Sequence, residues 1–288
     1  MQNFTQILAA FMDFIAKNIL RIAFTIVLII GLVIKPMYCF DDSPYFERVK
    51  LIDIVVGIIV LLAFYYIYKF RDYIQANFKY FYGFIFFTLI SCVYIYMVPL
   101  KPFSDMQYIY ESAINFATFK WSDIMAGEYW KMFSSNIYLG VFWGVLIFLL
   151  PKKLVTFKIL NMLFAYGIIY FTSKLCKEYK YKYYKVIYLL LLVFSPIIIY
   201  ENHIYCEMTF VFFCTLALYI WKKYNNIYLF SLFIGIARYL RSNGTIFLLA
   251  VIFAIIFKNI TKKNSKKEIL EKIKKVFWML VIFVIVYK

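Results

Sequence analysis

What this 288-residue chain lacks is instructive. Acidic residues are scarce, with 15 Asp and Glu against 32 Lys and Arg, and charged residues make up only 16% of the total. A soluble domain carries about a quarter charged residues and is about half apolar, whereas here 65% of residues are hydrophobic. The charges that exist fall between apolar runs. There is no CxxC pair and no metal-ligand spacing among Cys39, Cys92, Cys176, Cys206 and Cys214, so neither a disulfide framework nor a zinc site is indicated. His203 is the only histidine. There is no convincing internal repeat, no soluble domain, and no low-complexity tract beyond the charged stretch 258–275. No small-residue cleavage site follows the first apolar run, so that run is expected to be an uncleaved span.

What remains is apolar sequence at membrane-spanning length. A crossing helix needs roughly 20 mainly apolar residues, and the runs at 19–40, 51–68, 80–100, 154–173, 186–200, 207–221, 227–240, 244–257 and 276–287 supply candidates. Residues 137–150 are apolar but short, and 2–16 could form a short interfacial helix. The expected fold is therefore an all-α polytopic integral membrane protein with about nine transmembrane helices. The net charge of +17 does not indicate nucleic-acid binding. The lysines occupy short connectors such as 174–185 and 258–275, as the positive-inside rule demands of cytoplasmic loops, and the aromatics are spread through the apolar runs instead of gathering on a basic groove.

The same rule sets an orientation. With Lys17 and Arg21 inside, 41–50 lies outside, Lys69, Arg71 and Lys79 lie inside, and the third span exits near Leu100. If 137–150 crossed, the lysines of 174–185 would face outward. If it lies along the outer face, they face inward, with Lys222 and Lys223 also inside. The second topology is preferred, although Lys152, Lys153 and Lys158 then fall on the outer side. Residues 101–153 become one long outer loop carrying an amphipathic or re-entrant helix. Loops of this length are usually functional or disordered, and this one is too aromatic to be disordered.

Several polar residues stand near the predicted outer boundary. Asp105, in Pro102-Phe103-Ser104-Asp105, is followed at helical spacing by Tyr108, Glu111 and Ala113. A carboxylate shielded at the bilayer edge suits a general base; Ser104 and Asp105 are equally suited to capping a helix. The short segment Glu201-Asn202-His203-Ile204-Tyr205-Cys206-Glu207 could provide a second carboxylate, Glu207, and a metal ligand, His203; ordinary interfacial solvation explains the same residues. Arg238 and Arg241 sit at the end of a span, where a cation is costly and a guanidinium suits phosphate, or where it can snorkel to the interface. Lys158 opens the 154–173 span at the same level with the same two readings.

The order of these features resembles the GT-C fold of polyprenyl-phosphate-sugar-dependent glycosyltransferases, in particular bacterial relatives of the protein mannosyltransferases and the RgtA/B/C/D-like group. The likeness covers about 79–258. It rests on Pro-x-Ser-Asp after an outward span, Lys158-x-Leu160-Asn161, Ser195-Pro196, the acid Glu207 and Arg241-Ser242-Asn243-Gly244. The resemblance implies that 1–78 adds two N-terminal helices to a core at 79–288, in a multi-pass protein of the cytoplasmic membrane with its active site on the outer face. It implies that Asp105 deprotonates an acceptor hydroxyl, that Glu207 is a second catalytic acid, and that Lys158, Arg238 and Arg241 hold the lipid phosphate. The implied partners are a polyprenyl-phosphate sugar and a glycan, lipid or protein acceptor. Met106 stands where relatives often carry a second acid, so a divalent cation is implied only weakly. The chain ends at Lys288 directly after an apolar run, which leaves a truncated C-terminus open. The rival readings are a transporter or flippase of lipid-linked glycans and an inactive membrane fragment. A transporter would show midplane charges, inverted repeats and broken helices.

Overall fold

The computed structural model describes residues 34–38, 44–48, 50–120, 128–260 and 266–287, together with Ala10, Phe14, Asn18, Ile19 and Ile22. The predicted interfacial helix at 2–16 and most of the predicted first span fall outside the described residues. The described chain divides into two units, residues 1–66 with 255–264, and residues 67–254 with 265–288.

The first unit contains the only strands among the described residues. β1 (Ile34–Tyr38) pairs antiparallel with β2 (Pro44–Arg48), Pro36 opposite Phe46. This corrects two expectations: the end of the predicted 19–40 span is a strand, and the predicted outer loop 41–50 contains its partner. Pro36 has no N–H and cannot continue a helix, whereas each strand of a two-stranded hairpin has a free edge that tolerates proline. α1 (Leu51–Lys69) begins in this unit.

The other elements among the described residues are helices. α1 is followed after Phe70 by α2 (Arg71–Asn77), with a bend of 68° between them. Then come α3 (Tyr80–Met97), α4 (Asp105–Ala117), α5 (Glu128–Met132) and α6 (Ile137–Ile147). α7 (Leu154–Glu178), α8 (Tyr184–Leu192), α9 (Ser195–Tyr200) and α10 (Glu207–Tyr224) follow. The chain closes with α11 (Ile227–Leu240), α12 (Gly244–Ile260) and α13 (Lys266–Tyr287).

Among the described residues, α3 and α7 are long and apolar enough to cross a membrane, and the bent α1–α2 pair makes a third if it counts as one span. The other apolar helices fall short for physical reasons. α6 has 11 residues, about 16 Å at 1.5 Å per residue, roughly half the hydrocarbon thickness. α10 carries Glu207, Lys222 and Lys223 at its ends. The predicted 186–200 span is split into α8 and α9, because Phe194 is extended (ψ 100°) and Pro196 opens the following helix. Part of the predicted charged loop 258–275 is helix, since α13 starts at Lys266.

The second unit has two packed cores. One gathers Phe87 of α3, Ile169 of α7 and Tyr188 and Leu192 of α8. The other gathers Ile109 and Ala113 of α4, Trp143 of α6, Phe157 of α7, Ile204 and Leu240. α4 and α6 pack closely because Gly140 and Gly144 lie one turn apart on the shared face. A Cβ on Gly140 would lie 2.6 Å from Ser112 Oγ, and one on Gly144 would lie 2.8 Å from Phe116 Cβ, so only small residues permit this approach.

Contacts between helix ends divide this unit into two ends. At one, Asn161 near the start of α7 meets the 200–203 turn. At the other, Ser173 Oγ meets Tyr80 and the Tyr184 carbonyl. Ser173 lies twelve residue steps along α7 from Asn161, about 18 Å of rise.

Candidate active site

The chain leaves α3 through Pro99 and Pro102, which cannot supply the N–H groups a longer helix would need. Ser104 then adopts φ 47°, ψ −136°, a strained conformation for a residue with a side chain. It leads into Asp105, the first residue of α4. The capping role open to these residues is not taken up: Ser104 makes no side-chain cap bond. Instead, Asp105 Oδ2 accepts a hydrogen bond from the Tyr205 hydroxyl at 3.3 Å. This one bond joins segments 100 residues apart. A second phenol flanks the carboxylate. Burial, and then Asp105 itself, push the Tyr129 hydroxyl up to about 12 despite a bond with Asn136. Tyr129 is fixed by Asn136 Nδ2, which donates to its oxygen at 2.7 Å, and by parallel stacking on Tyr108 at 4.0 Å. Glu111 points elsewhere, accepting from Gln107 at 3.0 Å.

The segment bearing Tyr205 is held from below. Asn161, fully buried, donates to the carbonyls of Tyr200 (2.9 Å), Glu201 (3.2 Å) and His203 (2.8 Å). Asn202 Nδ2 donates to the Val98 carbonyl at 3.3 Å. Glu201 is completely buried; Ser91 Oγ donates to its Oε1 at 3.0 Å, and its Oε2 has no partner. His203 Nδ1 lies 3.2 Å from the Ile199 carbonyl and its ring packs on Tyr200.

Burial pushes the Glu201 carboxyl up to about 8, with only the Ser91 bond opposing it, so the group is protonated at neutral pH. Its folded value lies above the unfolded value of 4.5. The folded state therefore binds the extra proton between these limits, and stability falls as pH rises from about 4.5 to about 8, by about 1.4 kcal/mol per pH unit. Glu201→Gln is expected to remove that slope. Thermal unfolding of wild type and variant across this range checks it, and parallel curves would contradict it.

Glu207, the first residue of α10, forms an ion pair with Arg241: Nη1 to Oε1 is 2.8 Å. The same Nη1 lies 3.7 Å from Cys206 Sγ. Burial pushes that thiol up to about 12, so it meets the guanidinium as a neutral acceptor. Tyr205, Cys206 and Glu207 are consecutive, so Asp105 and the Glu207–Arg241 pair converge on one segment. Arg238 is half-buried in the last turn of α11, and its backbone supports the turn that follows. A Cβ on Gly244 would lie 2.6 Å from Arg238 N and 2.7 Å from its Cα. Gly244→Ala is expected to push the 241–244 turn off α11 and cost about 1–3 kcal/mol, as overpacking does, with a lowered thermal midpoint as the readout.

Lys158 stands beside this group and not within it. It is 3% exposed, and among the described residues it makes no ion pair or hydrogen bond. Asn161 lies one turn further along the same face of α7, and Phe157 packs on Trp143 and Tyr110. Of the five residues singled out in the sequence, the structure thus joins Asp105, Glu207 and Arg241 through one segment. It leaves Lys158 as a buried cation and gives Arg238 a backbone role at the turn.

The donor set does not suit a divalent cation. Met106, beside Asp105, is buried and apolar, the groups facing Asp105 are phenols, and Glu207 is taken by Arg241. Among the described residues no three His, Cys, Asp or Glu side chains gather to hold a metal. Comparison with protein-family models, curated proteins and solved structures gave no match.

Tyr129, Asn161, Glu201 and Tyr205 were not singled out for chemistry in the sequence. Asn161 and Glu201 carried the signal of polar groups next to apolar runs, but only burial separates Glu201 from Glu207.

Proposed function

We propose that the chain is a membrane glycosyltransferase that transfers a sugar from a polyprenyl-phosphate donor to an acceptor hydroxyl, with inversion at the anomeric carbon. The observation that carries this reading is the convergence of Asp105, through Tyr205, with the Glu207–Arg241 pair at one end of the helices. An acid–base group and a guanidinium are thus both held against one short segment, as attack at a carbon bearing a phosphate leaving group requires.

In this mechanism the acceptor hydroxyl loses its proton to Asp105 Oδ1 or Oδ2 as its oxygen attacks the anomeric carbon. Tyr205 orients the carboxylate. The bond to the phosphate oxygen breaks on the opposite face, and the polyprenyl phosphate leaves with the electron pair. Arg241, steadied by Glu207, and Lys158 receive the growing negative charge, as preorganised cations do at a leaving phosphate. A buried ammonium without a counter-ion is poised for an anion. Arg238 backs the Arg241 turn. Glu207 acts by fixing Arg241, with any second acid role requiring that pair to open.

The remaining apolar helices would bring the crossings to about nine. The 101–153 segment would form the outer loop, with α4 and α6 as its membrane-lying part, and the site would face outward from the cytoplasmic membrane. The lysines gathered at the opposite end of α7 support that orientation. The test is transfer by the purified full chain in lipid nanodiscs, offered a panel of polyprenyl-phosphate hexoses and glycan, lipid and peptide acceptors. Glycosylated acceptor is expected with at least one donor. A folded protein that binds these donors and moves them across a bilayer without transfer would favour the flippase reading and overturn this one.

A further inference from the structure

The proposed reaction uses nothing at the other end of the second unit, where lysines rest on tyrosine rings. Lys174 Nζ lies 4.5 Å from the ring centre of Tyr80 and 5.2 Å from that of Tyr170, so α7 places one ammonium between its own ring and one from α3. Lys222 of α10 lies 4.4 Å from Tyr179, just past the end of α7. Lys223 lies 4.7 Å from Tyr224, and Lys177 lies 5.7 Å from Tyr184 at the start of α8. These contacts tie together the ends of four helices with cations.

Acidic partners do not account for this arrangement. Asp72 is occupied by Lys182 at 3.4 Å and Arg71 at 3.8 Å. Among the described residues Lys174, Lys177, Lys222 and Lys223 form no ion pair with an acid. A ring face satisfies one side of an ammonium and leaves its outward N–H groups free to donate. The rings are open as well: Tyr179 is 52% exposed and Tyr224 is 60% exposed. Exposed tyrosines beside lysines suit the headgroup layer, where tyrosine is enriched. The level is right, since α3 begins here at Tyr80 and α7 ends here at Glu178, and these are the two single helices among the described residues that are long and apolar enough to cross a membrane.

We infer that this belt binds anionic phospholipid headgroups, with the phosphate bridging lysines on neighbouring helix ends. Lys222 with Tyr179 makes the main site, because it joins α10 to α7. The bound lipid then acts as a clamp on the helix ends, and an anionic leaflet stabilises the fold more than a zwitterionic one. The inference stands on the membrane reading alone and is independent of the transfer reaction.

The experiment compares the full chain in nanodiscs of phosphatidylcholine with and without phosphatidylglycerol, reading lipids retained in native mass spectrometry and the thermal midpoint. Wild type is expected to retain phosphatidylglycerol over phosphatidylcholine and to melt higher in its presence. A basic residue near an anionic surface contributes about a fivefold preference. Lys222→Gln/Lys223→Gln is therefore expected to lose about 25-fold in selective retention. Lys222→Arg/Lys223→Arg should keep the preference, as should Lys152→Gln/Lys153→Gln at the opposite end; both guard against a merely misfolded variant. Equal retention of the two lipids by wild type would overturn the inference, as would undiminished preference in the Gln variant. So would full stabilisation by inorganic phosphate or an acidic protein in place of the lipid.

Discussion

Asp105→Asn is expected to abolish sugar transfer, by about 10²–10⁴-fold, as loss of a general base does, while expression, membrane insertion and thermal midpoint stay near wild type. The substitution is close to isosteric. Asn can still accept from Tyr205, whose hydroxyl reaches Asp105 Oδ2 at 3.3 Å, so the bridge between the two segments survives. What disappears is the ability to take a proton. The helix itself should tolerate the change, because neither Ser104 nor Asp105 is needed as a side-chain cap: Ser104 makes no such bond, and Asp105 turns its carboxylate to Tyr205. Tyr205→Phe supplies the complement, leaving the base but freeing its orientation, and should lower turnover less than Asp105→Asn. Turnover measured beside a melting curve separates these cases. Normal turnover in Asp105→Asn would return the residue to a structural role.

The second large effect concerns the cations. Lys158→Met is expected to do two opposite things: to raise the stability of the ligand-free protein and to weaken donor binding strongly. Lys158 as a whole residue is 3% exposed and without a counter-ion among the described residues, so its charge carries a desolvation cost, and Met replaces its volume without charge. A lysine present only for packing would show the same gain in stability without the loss of donor affinity. Arg241 behaves differently, because it is already paired with Glu207. Its side chain and that of Glu207 remain 39% and 30% exposed, which places the effect of Arg241→Ala at the low end of the range for truncating a charge pair, about 2 kcal/mol or roughly 30-fold in donor affinity. Arg241→Lys keeps the charge and loses the planar fork, so an intermediate affinity is expected. Arg241→Ala/Glu207→Gln removes the stranded carboxylate; if Arg241 contacts the donor, this double variant should recover stability but not affinity. Titration with polyprenyl phosphate reads all four. Unchanged affinity in both Lys158→Met and Arg241→Ala would remove the lipid phosphate from this end of the helices.

Hydrophobicity made the helices legible, because a run of apolar residues long enough to be a helix needs little tertiary context. The runs at 51–68, 80–100, 154–173, 207–221, 227–240 and 244–257 each correspond to a helix beginning and ending within a few residues. The misjudged places are those where a local backbone rule overrides apolarity. Pro36 turns the end of the first run into a strand, and Pro196 with extended Phe194 divides 186–200 in two. Helix crossing is harder to read than helix existence, since charged ends shorten the apolar stretch of α10 and α13 without shortening the helices.

The candidate site was legible at Asp105, Glu207 and Arg241, where charged residues interrupt apolar sequence. Their partners were not. Tyr205 and Tyr129 are two among 28 tyrosines, and nothing in the spacing marks the two that flank a carboxylate. Glu201 and Glu207 look alike in sequence, both acids at the ends of a short polar segment. Only packing distinguishes a neutral, buried carboxyl bonded to Ser91 from a half-exposed carboxylate bonded to Arg241. Conversely, the Gly140 and Gly144 pair explains in retrospect why so apolar a segment as α6 packs closely against α4.

The most direct test of the central claim is the anomeric configuration of the transferred sugar. In the proposed reaction one carboxylate, Asp105, would serve as base in a single displacement, with the phosphate leaving toward Lys158 and Arg241. A nuclear magnetic resonance comparison of donor and product therefore discriminates between mechanisms. The account predicts a product whose anomeric centre is inverted relative to the polyprenyl-phosphate sugar, formed by wild type and absent with Asp105→Asn. A product with retained configuration, or one formed equally well by the Asn variant, would contradict it.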